Sequence, residues 1–395
     1  MGTLRPALAL LVALASAAPG RAAPAPEPAP EAVLAEMPFL HPEEPNRVYV
    51  DLAEPGEKPF VMLLDTGAAE SVVTPLAARK LGITVRRNKQ TPYRRGTRLG
   101  RDIEIWVDTA SSDTGSKTGW EYGLLGGKFL AEYVVEIDFP ARRVRVLDKK
   151  EYEVPETVDA EAERVLPFEL VSNRIHLPIE VRGQETDVLL DTGAGAPAIL
   201  SGKTAKKLGV DFEKLPYFGR GGTVLGPMEL SLYESPSLRF AGFAFPEQPV
   251  LVAPRGWYNI AGSTDSVLGV DVLRQFVLRI DYPRRRLWLK RAGDGRATLY
   301  GSDFKAAKEV GAYMTAAGGA LHVWGVAPDG LAARYGLREG DAIVPAAGDE
   351  TPSLDQVLAS IREWRKLTVA RKDGDEVVDL VLPGDVAAPP EPAGD

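Results

Sequence analysis

Apolar positions in this chain come in short runs of three to six, rich in branched residues and broken by Gly, Pro or Asp. That pattern predicts β-strands rather than helices. Val61–Leu64, Ile103–Val107, Val134–Ile137 and Val144–Leu147 are such runs, and Val188–Leu190, Leu230–Tyr233, Phe276–Ile280 and Leu287–Leu289 follow in the same order. Helical signal is slight. Pro75–Leu81 and Lys203–Leu208 read as short helices, each stopped by a glycine (Gly82, Gly209) suited to a left-handed cap. Gly126–Leu130 and Gly269–Leu273 read as a further turn of helix each.

The order recurs because the chain repeats itself. Leu-Leu-Asp-Thr-Gly-Ala stands at 63–68 and again at 189–194. Asn46-Arg47-Val48 matches Asn173-Arg174-Ile175, and Thr97–Gly100 matches Thr223–Gly226. Residues 123–146 match 266–289, so the offset grows from 126 to 143 and the second copy carries 17 extra residues between Gly226 and Gly269. Two similar all-β lobes are expected, at 37–148 and 165–291, joined by a charged linker at 149–164.

The ends and the composition narrow the class. Residues 1–23 combine Arg5, a short apolar run and small residues near Ala17 and Ala23, a secretory-signal pattern. An exported, periplasmic or secreted protein is expected, with a Pro/Ala-rich linker at 24–36 and a disordered tail at 385–395. The chain has no cysteine, so neither disulfides nor thiol chemistry contribute. A net charge of −8 argues against a nucleic-acid partner. The basic runs Arg142–Arg145 and Arg284–Arg286 read as solvated turns. The three histidines lie far apart in no metal-ligand spacing, and no metal or cofactor is expected. Gly202-Lys203-Thr204 lacks the earlier glycine of a phosphate loop, and Lys117-Thr118-Gly119 lacks the partner motifs of a β-lactamase.

The candidate chemistry lies in the repeated Asp-Thr-Gly. A carboxylate ending an apolar strand is costly unless it has partners. Thr-Gly turns the chain so that Asp sits at a strand tip among backbone N–H groups. Two copies about a pseudo-two-fold axis would bring Asp65 and Asp191 together. Adjacent carboxylates share one proton, so the pair holds a base and an acid at once and can activate a water against a peptide carbonyl. A third Asp-Thr-Gly, at 113–115, follows Ser111-Ser112 rather than an apolar strand and reads as a polar loop.

On Asp65-Thr66-Gly67-Ala68, Asp191-Thr192-Gly193-Ala194 and the elements Leu124-Leu125-Gly126 and Val267-Leu268-Gly269, the chain resembles the retropepsin-like and pepsin-like aspartic proteases. The resemblance covers both lobes. It implies an endopeptidase with Asp65 and Asp191 catalytic. It also implies Thr66, Gly67, Thr192 and Gly193 as loop support, Gly126 and Gly269 as cleft support, and a flap over the cleft. Ser71, six residues after Asp65, is a further support candidate, and Pro197 replaces it in the second copy. Ala68 and Ala194 stand where a hydroxyl often stabilises the carboxylate, so an optimum nearer neutrality than that of a gastric enzyme is expected. Tyr93–Gly96 and Tyr217–Gly222 are the two flap candidates.

Residues 302–384 leave the repeat. Val326–Ala332, Gly336–Ile343 and Gly348 resemble a PDZ domain, which binds peptide C-termini by strand addition. Gly318, Gly319, Ala320 and Leu321 are the candidate carboxylate loop. The partners expected are a protein or peptide substrate and a C-terminal peptide ligand, with the chain monomeric and without a membrane anchor. The competing reading is a catalytically retired scaffold acting as a peptide-binding adaptor.

Overall fold

The computed structural model describes residues 25–41, 44–83, 92–107, 123–158, 161–223, 226–253, 266–317, 320–344, 353–362, 367–371 and 377–380. Residues 1–23 and 385–395, the Asp113–Gly115 motif and Gly318–Gly319 lie outside them. The fold is mainly β.

A six-stranded sheet joins the two copies. Its order is Val33–Pro38, Arg143–Leu147, Val134–Asp138, Phe276–Asp281, Arg286–Arg291 and Glu163–Pro167. The middle pair comes from equivalent strands of the two copies, antiparallel, with Ile137 opposite Leu278 and Val135 opposite Ile280. A pseudo-two-fold axis therefore passes between them. Two expectations are corrected here. Residues 24–36 are not merely a linker: Val33–Pro38 pairs with Arg143–Leu147, and Ala32 is fully buried. Residues 149–164 are not merely a charged connection: Tyr152 and Val154 are buried, and Glu163–Pro167 pairs with Arg286–Arg291. Each outer strand extends the joining sheet and adds apolar side chains to both of its sides, Met37 and Leu166 to the main core and Val33 and Val165 to the cluster around Trp288. Arg145 likewise is not in a solvated turn but within a strand, bonded through Nε to Glu136 at 2.6 Å.

Each copy repeats one arrangement. The strand before the aspartate runs parallel to the apolar-apolar-Gly strand, Leu63 and Leu64 opposite Leu124 and Leu125 in the first, Leu189 and Leu190 opposite Val267 and Leu268 in the second. The strand after the aspartate runs antiparallel on the other side, Val72 opposite Leu124 and Ile199 opposite Val267. Helices follow at Pro75–Lys80 and Gly202–Lys207, capped by Thr74 Oγ1 and Ser201 Oγ, and stopped by Gly82 and Gly209, both at φ 72°.

The extra residues of the second copy change what happens next. There, Pro249–Ala253 fills the parallel place beside Ala198–Ser201, and the hairpin Tyr217–Thr223/Gly226–Glu234 hangs outside it. In the first copy Asp102–Val107 fills that place itself, Ser71 opposite Ile105. Its hairpin with Tyr93–Gly96 turns back: Arg98 N–H donates to the Leu52 carbonyl at 3.0 Å, and the Arg95 guanidinium lies 5.0 Å from the Phe60 ring centre. Residues 51–60 lie at the end of the Val61–Leu64 strand remote from Asp65, so Tyr93–Gly96 is not placed as a flap.

The C-terminal unit has its own sheet, ordered Ala312–Ala317, Ala320–Val326, Ala342–Ile343, Leu367–Ala370 and Val377–Leu380, and its own core around Met314, Leu321, Ile343, Val357 and Val369. Of the expected carboxylate loop, Ala320 and Leu321 are among the described residues. Ala320 and Leu321 open a strand, Leu321 opposite Ala316 on one side and Ile343 on the other, and Leu321 is buried. A residue paired on both edges in a core is not available to a ligand.

Two glycines let this unit lie directly on the second copy's hairpin. A Cβ on Gly219 would fall 2.0 Å from the Trp324 carbonyl oxygen, and one on Gly325 would fall 1.7 Å from that of Phe218. Phe218 packs against Tyr300 and Tyr313, with ring centres 6.1 and 4.9 Å away.

Candidate active site

Asp65 and Asp191 end their strands at the pseudo-two-fold axis and are 8 % and 4 % exposed. Asp65 Oδ1 accepts from the N–H groups of Gly67 and Ala68, both at 2.9 Å. Asp191 Oδ1 accepts from Gly193 at 2.8 Å and Ala194 at 3.2 Å. The glycines bring the carboxyls face to face. A Cβ on Gly67 would lie 2.5 Å from Asp191 Cγ, and one on Gly193 would lie 2.6 Å from Asp65 Cγ. Neither position tolerates a side chain.

The threonines interlock. Thr66 Oγ1 donates to the Leu190 carbonyl at 2.6 Å and accepts from Thr192 N–H at 3.1 Å. Thr192 Oγ1 donates to the Leu64 carbonyl at 2.7 Å and accepts from Thr66 N–H at 3.1 Å. Both are fully buried, so three polar groups of each loop, the Thr N–H, the Thr hydroxyl and the Leu carbonyl, are satisfied by the other copy through four hydrogen bonds. The Asp loops are thereby fixed to one another rather than to their own halves.

Behind them, Gly126 N–H donates to Ser71 Oγ at 3.0 Å. At the equivalent place Gly269 N–H donates to the Pro197 carbonyl at 2.9 Å, so a backbone oxygen does for the second loop what the hydroxyl does for the first. Gly126 and Gly269 pack on the carbonyls of Glu70 and Ala196, where a Cβ would come within 2.2 and 2.1 Å.

Burial pushes both carboxyls above the ordinary aspartate range, and the Asp191 charge pushes Asp65 further up, against the pull of the Ala68 and Gly67 amides. For Asp191, burial is opposed by the Gly193 amide, the bond to Asp65, the Ala194 amide and the Arg174 guanidinium. With both carboxyls pushed up and adjacent, the pair holds one proton between them and titrates as a unit. Arg174 is 1 % exposed, and its Nε has no partner. The corresponding Arg47 has Glu44 at 3.8 Å, whereas Val171 stands at the equivalent place in the second copy. Among the described residues no group of three or more His, Cys, Asp or Glu is placed to hold a metal ion.

Residues 177–272 match the model of a family described as aspartyl protease. That stretch is similar to the aspartyl-protease family. It contains Asp191-Thr192-Gly193 and Val267-Leu268-Gly269. Among solved structures, a retropepsin-like aspartic protease from Rickettsia conorii is similar over 33 % of this chain and 92 % of its own, at 25 % identity and a TM-score of 0.27. No curated protein matches.

The structure brings together Asp65, Thr66, Gly67, Ser71, Gly126, Asp191, Thr192, Gly193 and Gly269, all nine singled out from the repeat. It does not add Ala320 or Leu321 to any site. Sequence reasoning missed Arg174, Asn46 and the Pro197 carbonyl. Asn46 and Arg174 were visible only as residues shared by the repeats, a signal that does not separate a fold position from a functional one.

Proposed function

We propose that the chain is an aspartic endopeptidase whose two halves, paired within one chain, form a single catalytic centre. The observation that carries this reading is the reciprocal Thr66–Thr192 lock, which holds two buried carboxyls face to face. A water between them loses a proton to the ionised carboxyl of the Asp65–Asp191 pair and attacks the scissile carbonyl carbon. The protonated carboxyl gives its proton to the carbonyl oxygen, forming a neutral gem-diol. Collapse breaks the C–N bond, with a proton passing to the leaving amine. The pair titrates as a unit, so the roles exchange as the proton moves.

The flap in this reading is Tyr217–Glu234. Phe218, Leu230, Leu232 and Met228 belong to one apolar cluster with Ala194 and Ala196, just beyond Asp191. The C-terminal unit is taken as a PDZ-like module and the leader as an export signal. A peptide substrate and a monomer in an extracytoplasmic compartment follow from these assignments.

Peptide cleavage by the chain from residue 24, compared with Asp65→Asn and Asp191→Asn across a pH series with and without pepstatin, tests the proposal. Cleavage lost in both variants supports a shared-proton dyad. A wild type inert towards a broad peptide library at every pH overturns it and leaves a peptide-binding scaffold.

A further inference from the structure

The second copy's hairpin is held by its own half only at the root. Pro249–Ala253 pairs with it from Glu234 as far as Ser231, which faces Val252 on one side and Tyr217 on the other. Further out, among the described residues, Gly219–Thr223 and Gly226–Leu230 pair only with each other. Phe218 is the extra residue of a bulge at that boundary, between Tyr217 opposite Ser231 and Gly219 opposite Leu230. A bulge bends its strand and redirects the side chain it carries.

The C-terminal unit meets the hairpin at this bend. Its own ladder has an extra residue there, Trp324, between Val323 opposite Met314 and Gly325 opposite Tyr313. Gly219 and Gly325 let the two bulged backbones touch. The Phe218 side chain is buried against Tyr300 and Tyr313, and Tyr300 stacks in turn on Trp324, ring centres 6.2 Å apart. Tyr300 and Gly301 form a left-handed turn, at φ 52° and 83°, and Asp271 fixes it by accepting from Gly301 N–H at 2.8 Å. Both strands of the hairpin are also gripped at the surface. Lys308 Nζ lies 2.6 Å from Glu234 Oε2, and Tyr217 OH donates to Glu339 Oε2 at 3.2 Å. The unit is anchored to the first half as well, where Asn46 Nδ2 donates to Thr315 Oγ1 at 3.4 Å.

A hairpin at this place does not need such a contact to form. Tyr93 stands in the first copy where Gly219 stands in the second, and Tyr93–Gly96 pairs with Ile105 to Asp102 without an extra residue. Tyr93 is exposed. The bulge and its glycine belong to the copy that carries the C-terminal unit.

Resting on the flap reading above, we infer that Tyr313, Trp324 and Gly325 are positioning residues: they fix the bend at Phe218, from which the outer hairpin reaches over a peptide at Asp65 and Asp191. The C-terminal unit then serves the catalytic centre by setting the posture of its flap. A flap holds substrate and transition state alike, so a loosened pivot raises KM more than it lowers kcat.

The chain has no cysteine, so two can be introduced for labelling. The experiment uses the full chain spin-labelled at Glu229→Cys in the hairpin and Lys203→Cys in the second half, with Tyr313→Leu, Tyr313→Phe and Gly325→Ala compared in that background. Tyr313→Leu removes an aromatic contact worth about two- to tenfold in an equilibrium. It should raise KM by that factor, leave kcat within about twofold, and broaden the label-to-label distance distribution. Tyr313→Phe keeps the ring and should match the parent chain. Gly325→Ala puts a Cβ into the Phe218 carbonyl and should broaden the distribution further; if it does not fold, the two Tyr313 variants decide. In a chain that cleaves peptides, an unchanged distribution or an unchanged KM in Tyr313→Leu overturns the inference. A lower kcat at constant KM does so too, because it marks only a smaller folded fraction. The distances need no cleavage. A broadened distribution in a chain that cuts no peptide would sustain the clamp while the peptidase reading falls, and an unchanged one in a chain that cuts would remove the clamp and leave the peptidase.

Discussion

Glu136 and Arg279 occupy the same position of the two repeats and face each other across the pseudo-two-fold axis, Oε2 to Nε at 2.6 Å. Both are essentially unexposed. Arg279 also holds Glu27 at 2.8 Å and lies 4.3 Å from the Trp288 ring centre, while Arg145 takes the other oxygen of Glu136. Two identical copies would place like charges together at this point, which is costly in a buried interface. The chain has one sign in each copy, and its halves are matched to each other rather than to themselves.

Removing one member of this pair should therefore cost more than removing both. Arg279→Met is expected to destabilise the chain by about 3–5 kcal/mol, and the double variant Glu136→Met/Arg279→Met by less. Urea unfolding of the two variants beside wild type measures the difference. A double variant damaged as much as Arg279→Met or more would show that packing, not charge, holds the seam.

The threonine lock predicts coupled loss of stability and turnover. Thr66→Val keeps the volume but leaves the Leu190 carbonyl and the Thr192 N–H without partners. Each orphaned group costs about 1–3 kcal/mol. The expected result is a lower unfolding midpoint together with a fall in kcat, because the Asp loops are no longer fixed to one another. Thr66→Ser should retain most of both.

Arg174 favours the Asp191 carboxylate, so its loss has a definite sign. Without the guanidinium, Asp191 gives up its proton less readily and the singly ionised pair forms only at higher pH. Arg174→Met should move the acid limb of the kcat/KM profile upward by about one pH unit, the lower end of what a close opposite charge contributes. Arg47→Met, whose counterion is Glu44, should leave that limb in place.

A second buried carboxyl gives a stability signature distinct from the catalytic pair. Asp271, in the turn of helix after Gly269, accepts from Gly301 N–H at 2.8 Å, and burial pushes it up to about 7 despite the nearby Arg274 and the Gly301 and Tyr300 amides. Unfolded, it loses its proton near the ordinary 3.8. Across the window between those values the folded chain holds the extra proton, so stability falls as pH rises from about 4 to about 7 and levels above. The full effect is at most about 4 kcal/mol. Asp271→Asn should flatten that part of the curve in urea midpoints measured from pH 4 to 8.

Much of the site was legible because the chain states it twice. Leu-Leu-Asp-Thr-Gly-Ala at two places, each with its apolar-apolar-Gly partner downstream, specifies the same strand-turn geometry on both occasions, and local rules suffice to read it. Boundaries were harder. Val33–Pro38 and Glu163–Pro167 are short edge strands, and their flanks are rich in Pro, Ala and Glu, so composition pointed to linkers. Their pairing depends on partners more than 100 residues away, Arg143–Leu147 and Arg286–Arg291.

The residue order alone thus established a duplicated β-rich chain with two aspartates at equivalent strand tips. Folding in three dimensions decided which hairpin stands beside them. Both hairpins share the turn signal, but a strand can fill the parallel place next to Ser71–Val73 or Ala198–Ser201 only once, and the extra residues of the second copy supply Pro249–Ala253 for it and free Tyr217–Glu234. Tertiary contact likewise gave Asn46 different neighbours from Asn173, Thr315 and Gly195 in place of Gly127. The repeat makes that pair alike, and only the neighbour that packing brings, the C-terminal unit, makes them differ; Arg174 differs from Arg47 already in the sequence, where Val171 replaces Glu44.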